Sequence, residues 1–155
     1  MVAHAAMLSP AGIAYVYGFW VALPLTCIAA GLWGGWPERA VSLLYAVALV
    51  ATALVLERYA KPFVSIQVGV LLVDALLVAA LVLLAMRSHR GWLIWASSFQ
   101  LIGTLGHLSK LVRPDMSRLA YGLMEGASGW PTLLALMIGI WGHWRRTRAS
   151  GAARS

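Results

Sequence analysis

Long apolar runs, separated by short polar segments, recur along this 155-residue chain. Several runs reach the roughly 20 residues that an α-helix needs to cross a bilayer core about 30 Å thick. Hydrophobic residues make up 61% of the chain and charged residues only 11%, too little charge to cover a soluble domain of this length. The sequence therefore predicts an all-α fold, a polytopic integral membrane protein built as a bundle of about five transmembrane helices.

Charged residues, prolines and glycines divide the apolar sequence into segments. The five predicted spans cover residues 12–34, 40–56, 63–86, 92–112 and 119–141. Together they form one transmembrane domain, residues 1–145. The basic segment 146–155 is predicted to be a disordered C-terminal tail.

An odd number of spans puts the two termini on opposite faces of the membrane. Face A then holds the N-terminus and loops 57–62 and 113–118, and face B holds loops 35–39 and 87–91 and the C-terminus. Aromatic residues that favour interfaces support this assignment, because tryptophans cluster near B and tyrosines near A. The tryptophans near B are Trp33, Trp36, Trp92, Trp95, Trp141 and Trp144, and the tyrosines near A are Tyr15, Tyr17, Tyr59 and Tyr121.

The net charge of +7 arises from 12 basic and 5 acidic residues. The basic residues lie in loops and the tail, as membrane topology predicts, so they do not indicate a nucleic-acid partner. Seven of them fall on face B and five on face A. This predicts a bacterial inner-membrane protein with its N-terminus outside and its C-terminus inside. The expected partners are membrane lipids and other membrane subunits or a second copy of the chain.

Three consecutive spans each carry a polar side. Residues 100, 104 and 107 of the fourth span lie within about 60° of one another at roughly 100° per residue. The third span has two polar residues seven apart, and the fifth repeats the pattern. The candidate site residues for ligand binding or a proton pathway are Gln67, Asp74, Gln100, Thr104, His107, Tyr121 and Glu125.

Depth groups these residues into two predicted layers. Asp74 and Gln100 lie near mid-membrane, and His107 and Glu125 lie nearer face A. An ionised carboxylate at the bilayer centre costs about 2.5–3.5 kcal/mol on insertion scales, so Asp74 must be neutral, paired or hydrated. Gln100 can donate to it, and so can His107 from the neighbouring layer.

Three interpretations of the polar stripe remain open. The first is interhelical hydrogen bonding, with nearby glycines allowing close approach. In the second, the stripe lines a ligand pocket or proton path that opens at face A, with Asp74 at its inner end. In the third, the stripe contacts another subunit.

Other chemical motifs are missing from the sequence. Cys27 is the only cysteine, no HExxH spacing occurs, and no facing histidine stands at the depth of His107, so no metal or cofactor is predicted. His89 and His143 are interpreted as solvated residues near face B. No GxSxG motif is present, and no catalytic residue is assigned.

The order of spans three to five, with "WLIW" opening one helix and "GWPTLLALMIG" lying in another, resembles small sterol-isomerase-like membrane domains. The characteristic acidic positions of that family do not align here, so no residue role is taken from it.

Three hypotheses about function follow. The first is a non-catalytic accessory or assembly subunit of a larger membrane complex, since the chain is small, its loops are short and it lacks a catalytic motif. The second is a small transporter, channel or ligand-binding protein that uses Asp74, Gln100, His107 and Glu125. The third is an intramembrane enzyme for an apolar substrate, with His107 and Glu125 exchanging protons.

Overall fold

A computed structural model describes residues 10–58, 63–112 and 118–152 of the chain. These residues form five α-helices and no β-strand. The helices are α1 (Pro10–Trp33), α2 (Trp36–Arg58), α3 (Phe63–Ser88), α4 (Gly91–Val112) and α5 (Arg118–Ala152). The predicted all-α class and number of helices are confirmed.

The five helices form a closed ring in which each packs against its neighbours in the chain, and α5 returns to pack against α1. The most extensive packing joins α4 to α5, and a small contact crosses the ring between α2 and α5. Aromatic rings close the seam between α1 and α5, where Trp130 lies 5.7 Å from Tyr15 and 5.9 Å from Phe19 between ring centroids. Such pairs stabilise helix contacts beyond the area that they bury.

The turn between α1 and α2 is tight because two glycines occupy it. The Gly34 amide donates to the carbonyl of Ala30, and the Gly35 amide donates to Oε2 of Glu38 at 2.9 Å. Glu38 is the third residue of α2, so it caps the helix N-terminus as in a capping box. Since Pro37 in the first turn needs no amide partner, the helix begins at Trp36, ahead of the predicted residue 40.

The B end of the bundle is defined by the turns at 34–35 and 89–90 and by the C-terminal half of α5. Gly35 lies against the imidazole of His143, and Gly139 lies against the indole of Trp92. Both turns therefore meet the same stretch of α5. The second turn contains His89 at a φ of 50°, the left-handed conformation that commonly ends a helix.

All five helices contribute to a small apolar core. It includes Ala30 of α1, Val41 of α2, Leu81 of α3, Leu93 of α4 and Leu136 of α5, each fully buried. Large hydrophobic side chains that are exposed on the outside of the ring far outnumber the buried ones. The distribution differs from that of a typical water-soluble protein, in which large apolar side chains are mostly buried.

Two segments within the described residues, Trp36–Val55 and Val68–Ser88, are long and apolar enough to cross a membrane. A shorter apolar segment, Tyr17–Trp33, lies in α1. Two apolar helices could thus cross a membrane, and the membrane location of the whole bundle stays a prediction.

Helix α5 is 35 residues long and continues to Ala152, through part of the segment for which the sequence predicted disorder. Its basic stretch is held by local contacts. The guanidinium carbon of Arg148 lies 4.0 Å from the Trp144 ring centroid, and the hydroxyl of Ser150 donates to backbone carbonyls one turn earlier. Arginine and alanine also favour helix. Local contacts of this kind stabilise a helix in a segment whose composition is typical of a tail.

Candidate functional site

The polar site lies between the antiparallel helices α3 and α4. Helical side chains lean toward the N-terminus of their own helix. Asp74 on α3 and His107 on α4 therefore lean toward each other, because the two helices run in opposite directions. Gln100 and Thr104 follow on the same face of α4 as His107.

Asp74 is the centre of this cluster. Its Oδ1 accepts a hydrogen bond from Nε2 of Gln100 at 3.4 Å, and its Oδ2 lies 3.3 Å from Nε2 of His107. The predicted contact between Asp74 and Gln100 is thus present. The side chains of Asp74 and His107 are 17% and 15% exposed, so both are shielded but reachable.

The two-layer arrangement predicted from depth differs from the observed one. His107 contacts Asp74, so residues that were predicted to lie in two separate layers form one cluster. The reason is side-chain reach: depth was counted at the backbone, whereas the two side chains lean toward each other. Gln67 belongs to α3, and Tyr121 and Glu125 belong to α5. The structure describes the backbone of these three residues but not their side chains. Their predicted roles stay predictions.

Hydroxyl groups near the cluster bond to their own helices. Thr104 is buried and donates to the Gln100 carbonyl at 3.0 Å, and Thr132 of α5, also buried, donates to the carbonyl of Ser128. This pattern satisfies the hydroxyl without a partner on another helix. Thr104 therefore lines the polar face without contacting Asp74 through a hydrogen bond in the described structure.

Gly103 brings α5 close to this region. A β-carbon at Gly103 would lie 2.5 Å from Oγ and 2.7 Å from Cβ of Ser128. Only a glycine permits this approach without a shift. The α4–α5 contact thus follows the small-residue packing typical of membrane helices.

A second buried acid, Glu38, was not among the candidates from the sequence. It is 1% exposed, and its Oε1 has no hydrogen-bond partner among the described residues. A β-carbon at Gly35 would lie 3.0 Å from Oε2 of Glu38 and 2.8 Å from Nδ1 of His143, so the imidazole stands near the carboxylate. Tyr45, two turns further along α2, is also buried with an unpartnered hydroxyl. His143 was interpreted as solvated, and it is half-buried here.

A sequence signal for Glu38 did exist. Gly35 and Glu38 have capping-box spacing, and the adjacent Gly34 allows the chain to turn tightly. What the pattern does not show is that α5 lies against the turn.

The chemistry available at the Asp74 site and the Glu38 site is proton exchange by carboxylates and imidazoles. The described residues contain no group of three or more His, Cys, Asp or Glu side chains suited to a metal ion.

No known protein family, no curated protein and no solved structure matches this chain.

Proposed function

We propose that this protein is a multi-pass integral membrane protein with five spans that acts as a non-catalytic accessory or assembly subunit of a larger membrane complex. The observation that carries the proposal is the contrast in polarity between the α3–α4 seam and the outer surface of the helix ring. The polar groups of the α3–α4 seam contact one another, whereas the outer surface of the ring is covered with large hydrophobic side chains. Lipid and apolar partner helices are the surroundings that suit such a surface.

The tryptophans at the B end support the membrane location. Trp33, Trp36, Trp95 and Trp141 are each more than half exposed, and all stand within a few residues of a B-end turn or of the basic end of α5. Exposed tryptophans at one level are typical of a membrane interface. The basic residues beyond Trp144 favour this end as the cytoplasmic one, which gives an inner-membrane protein with N-out and C-in topology.

The outer face of α2 supports the role of a subunit. Leu43, Val47, Val50 and Leu54 are each more than half exposed and follow alternating steps of four and three residues. Together with Ala46 and Ala51, three of them line a shallow groove of about 400 Å³. Apolar residues at this spacing form the seam of paired helices, and small residues permit close approach.

Co-purification tests the subunit role. After cross-linking, two proteins are extracted from native membranes in mild detergent. One is the unaltered protein, and the other carries Val47→Trp and Val50→Trp together on the α2 face. We expect a partner to co-purify with the unaltered protein and its recovery to fall at least about tenfold in the variant, since two bulky rings prevent close helix contact.

The matched control carries Leu72→Trp and Leu76→Trp on the outer face of α3, where both residues are exposed. This variant should keep the partner. A protein that purifies without any partner under these conditions contradicts the subunit role. Loss of the partner in both variants contradicts the assignment to α2.

Cysteine labelling tests the topology. Single cysteines are introduced at His89, Ser150 and Lys61 in a Cys27→Ala background, and intact cells are treated with a membrane-impermeant maleimide. We expect labelling of the Lys61→Cys variant alone, because His89 and Ser150 lie at the B end. If only one of the His89→Cys and Ser150→Cys variants is labelled, the two positions lie on opposite sides of the membrane, which contradicts five spans.

A second candidate function, transport of a small ligand or of protons, is favoured by one observation. The carboxylate of Asp74 and the imidazole of His107 are paired at 3.3 Å and both keep some exposure. Ionisable residues inside membranes often mark proton or substrate paths. Transport activity that disappears in Asp74→Asn, with the amount of folded protein unchanged, supports this function. Transport that continues in the variant contradicts it.

A further inference from the structure

An apolar groove of about 490 Å³ runs along the outside of the bundle between α1 and α5. Leu25, Ala29 and Trp33, spaced four residues apart, line its α1 side. Met137, Trp141 and Trp144 line its α5 side. From Leu25 to Trp33 the groove extends about 12 Å along the helix axis, at 1.5 Å per residue.

The groove opens outward. Leu25, Trp33 and Trp141 are 61%, 58% and 56% exposed. Both helices run toward the B end, so the groove descends from mid-helix to the level of the interfacial tryptophans. Its lining is apolar apart from Thr26, whose hydroxyl donates to its own helix at the carbonyl of Ala22. The shape and chemistry suit a hydrocarbon chain.

Two arginines stand at the B end of this groove. The guanidinium carbon of Arg145 lies 4.9 Å from the Trp141 ring centroid, and that of Arg148 lies 4.0 Å from the Trp144 ring centroid. Both tryptophans are groove residues, so stacking on them fixes each cation beside the opening. A stacked guanidinium keeps its N–H groups at its edge, where they can donate to a phosphate in pairs.

Within the described residues, the arginines at this end have no acidic side chain as a partner. The one acidic side chain that the structure describes at the B end is Glu38, and its carboxylate is buried in the turn before α2. Neither arginine forms an ion pair with an acidic side chain within the described residues. A ligand that complements this end therefore carries negative charge.

We propose that the α1–α5 groove is a binding site for an anionic phospholipid of the leaflet at the B end. One acyl chain lies in the groove against Ala29 and Trp141, and the headgroup phosphate accepts hydrogen bonds from Arg145 and Arg148. Basic pockets between membrane helices bind anionic headgroups in this manner. The site rests on the proposed membrane location and is independent of the subunit role.

Lipid binding by the full chain in detergent tests the site. Delipidated protein is titrated with dioleoyl phosphatidylglycerol or dioleoyl phosphatidylcholine, and bound lipid is counted by native mass spectrometry. We expect one tightly bound phosphatidylglycerol. In a variant with both Arg145→Gln and Arg148→Gln its affinity should fall roughly 25-fold, to near that of phosphatidylcholine, at roughly fivefold per arginine.

Two further variants separate the groove from general surface charge. Arg87→Gln with Arg90→Gln removes two charges at the same end of the bundle but away from the groove, and should change the affinity less than twofold. Ala29→Trp fills the groove and should abolish tight binding of phosphatidylglycerol. Each variant is accepted only when its circular dichroism and elution volume match those of the unaltered protein.

Three results overturn the site: equal affinity for the two lipids in the unaltered protein, an equal loss in the two arginine pairs, or tight binding that persists in Ala29→Trp. A failure of the proposed membrane location gives a different result from a failure of the lipid site. A protein that stays in the aqueous phase without detergent contradicts the membrane location itself. A membrane-bound protein with no phosphatidylglycerol preference contradicts only the lipid site.

Discussion

Among the side chains that the structure describes, two carboxylates are shielded to different extents. Asp74 lies midway along α3, is 17% exposed, and has a contact to each of its oxygens from α4. Glu38 lies in the first turn of α2, is 1% exposed, and uses one oxygen to hold the Gly35 amide while the other has no partner among the described residues. The more deeply buried acid thus has fewer partners.

The difference reflects what each acid does for the fold. Asp74 joins two helices through side-chain contacts alone, and its side chain retains some exposure. Glu38 binds a backbone amide next to its own helix, and His143 of α5 lies against the same turn. We infer that Glu38 is fixed by the backbone, whereas Asp74 belongs to an adaptable seam. Substitutions at the turn should therefore cost more than substitutions in the seam.

The largest effect is expected for Gly34→Ala, which disturbs the backbone around Glu38. A β-carbon at Gly34 would collide with the carbonyl oxygen of Ala30 and lie 2.7 Å from Cβ of Glu38. Because one of these atoms belongs to the backbone, the turn must shift, and the free energy of unfolding should fall by about 3 kcal/mol. Titration with sodium dodecyl sulfate in mixed micelles measures it.

Gly31→Ala is the matched control for that measurement. It stands one turn earlier in α1, where an added β-carbon meets no atom within 4 Å. Alanine also favours helix over glycine, so this variant should be as stable as the unaltered protein or more so. Equal destabilisation by the two substitutions would mean that the turn is not tightly packed.

A smaller loss is expected for Glu38→Ala. The substitution leaves the Gly35 amide without its acceptor in a buried turn, and an unsatisfied buried donor together with a lost cap costs about 2 kcal/mol. Glu38→Gln keeps an oxygen for the amide and should recover at least about half of that loss. The same detergent titration measures the free energy of unfolding of both variants. A Glu38→Ala variant as stable as the unaltered protein would show that the cap does not stabilise the fold.

Much of the fold was predictable because it depends on local sequence. Apolar runs predicted the five helices, and Gly34–Gly35 and the segment around His89 marked two of the turns. Helix α5 extends further than predicted, since stacking of Arg148 on Trp144 stabilises a stretch that composition alone marks as a tail. The closure of α5 against α1 was not predicted, because it depends on contacts between residues far apart in the sequence.

The candidate site was predictable where a polar residue interrupts an apolar run. Asp74 and Gln100 stand out in this way, and their contact is present. The pairing of Asp74 with His107 required side-chain direction as well as depth. Glu38 could not be recognised as buried, because its turn lies against α5, where His143 is next to Gly35, and α5 is distant in the sequence.

The smallest effects are expected in the α3–α4 seam. Asp74→Leu removes the acceptor for Gln100 and the contact with His107, and interhelical hydrogen bonds in membranes average about 0.6 kcal/mol each, so the loss should be about 1 kcal/mol. Asp74→Asn keeps the shape and one acceptor oxygen and removes the charge, so its stability should change by less than about 0.5 kcal/mol. Both are measured by the same titration as the turn variants. A loss for Asp74→Leu that exceeds the loss for Glu38→Ala would reverse the comparison, because the seam rather than the turn would then be the rigid part of the bundle.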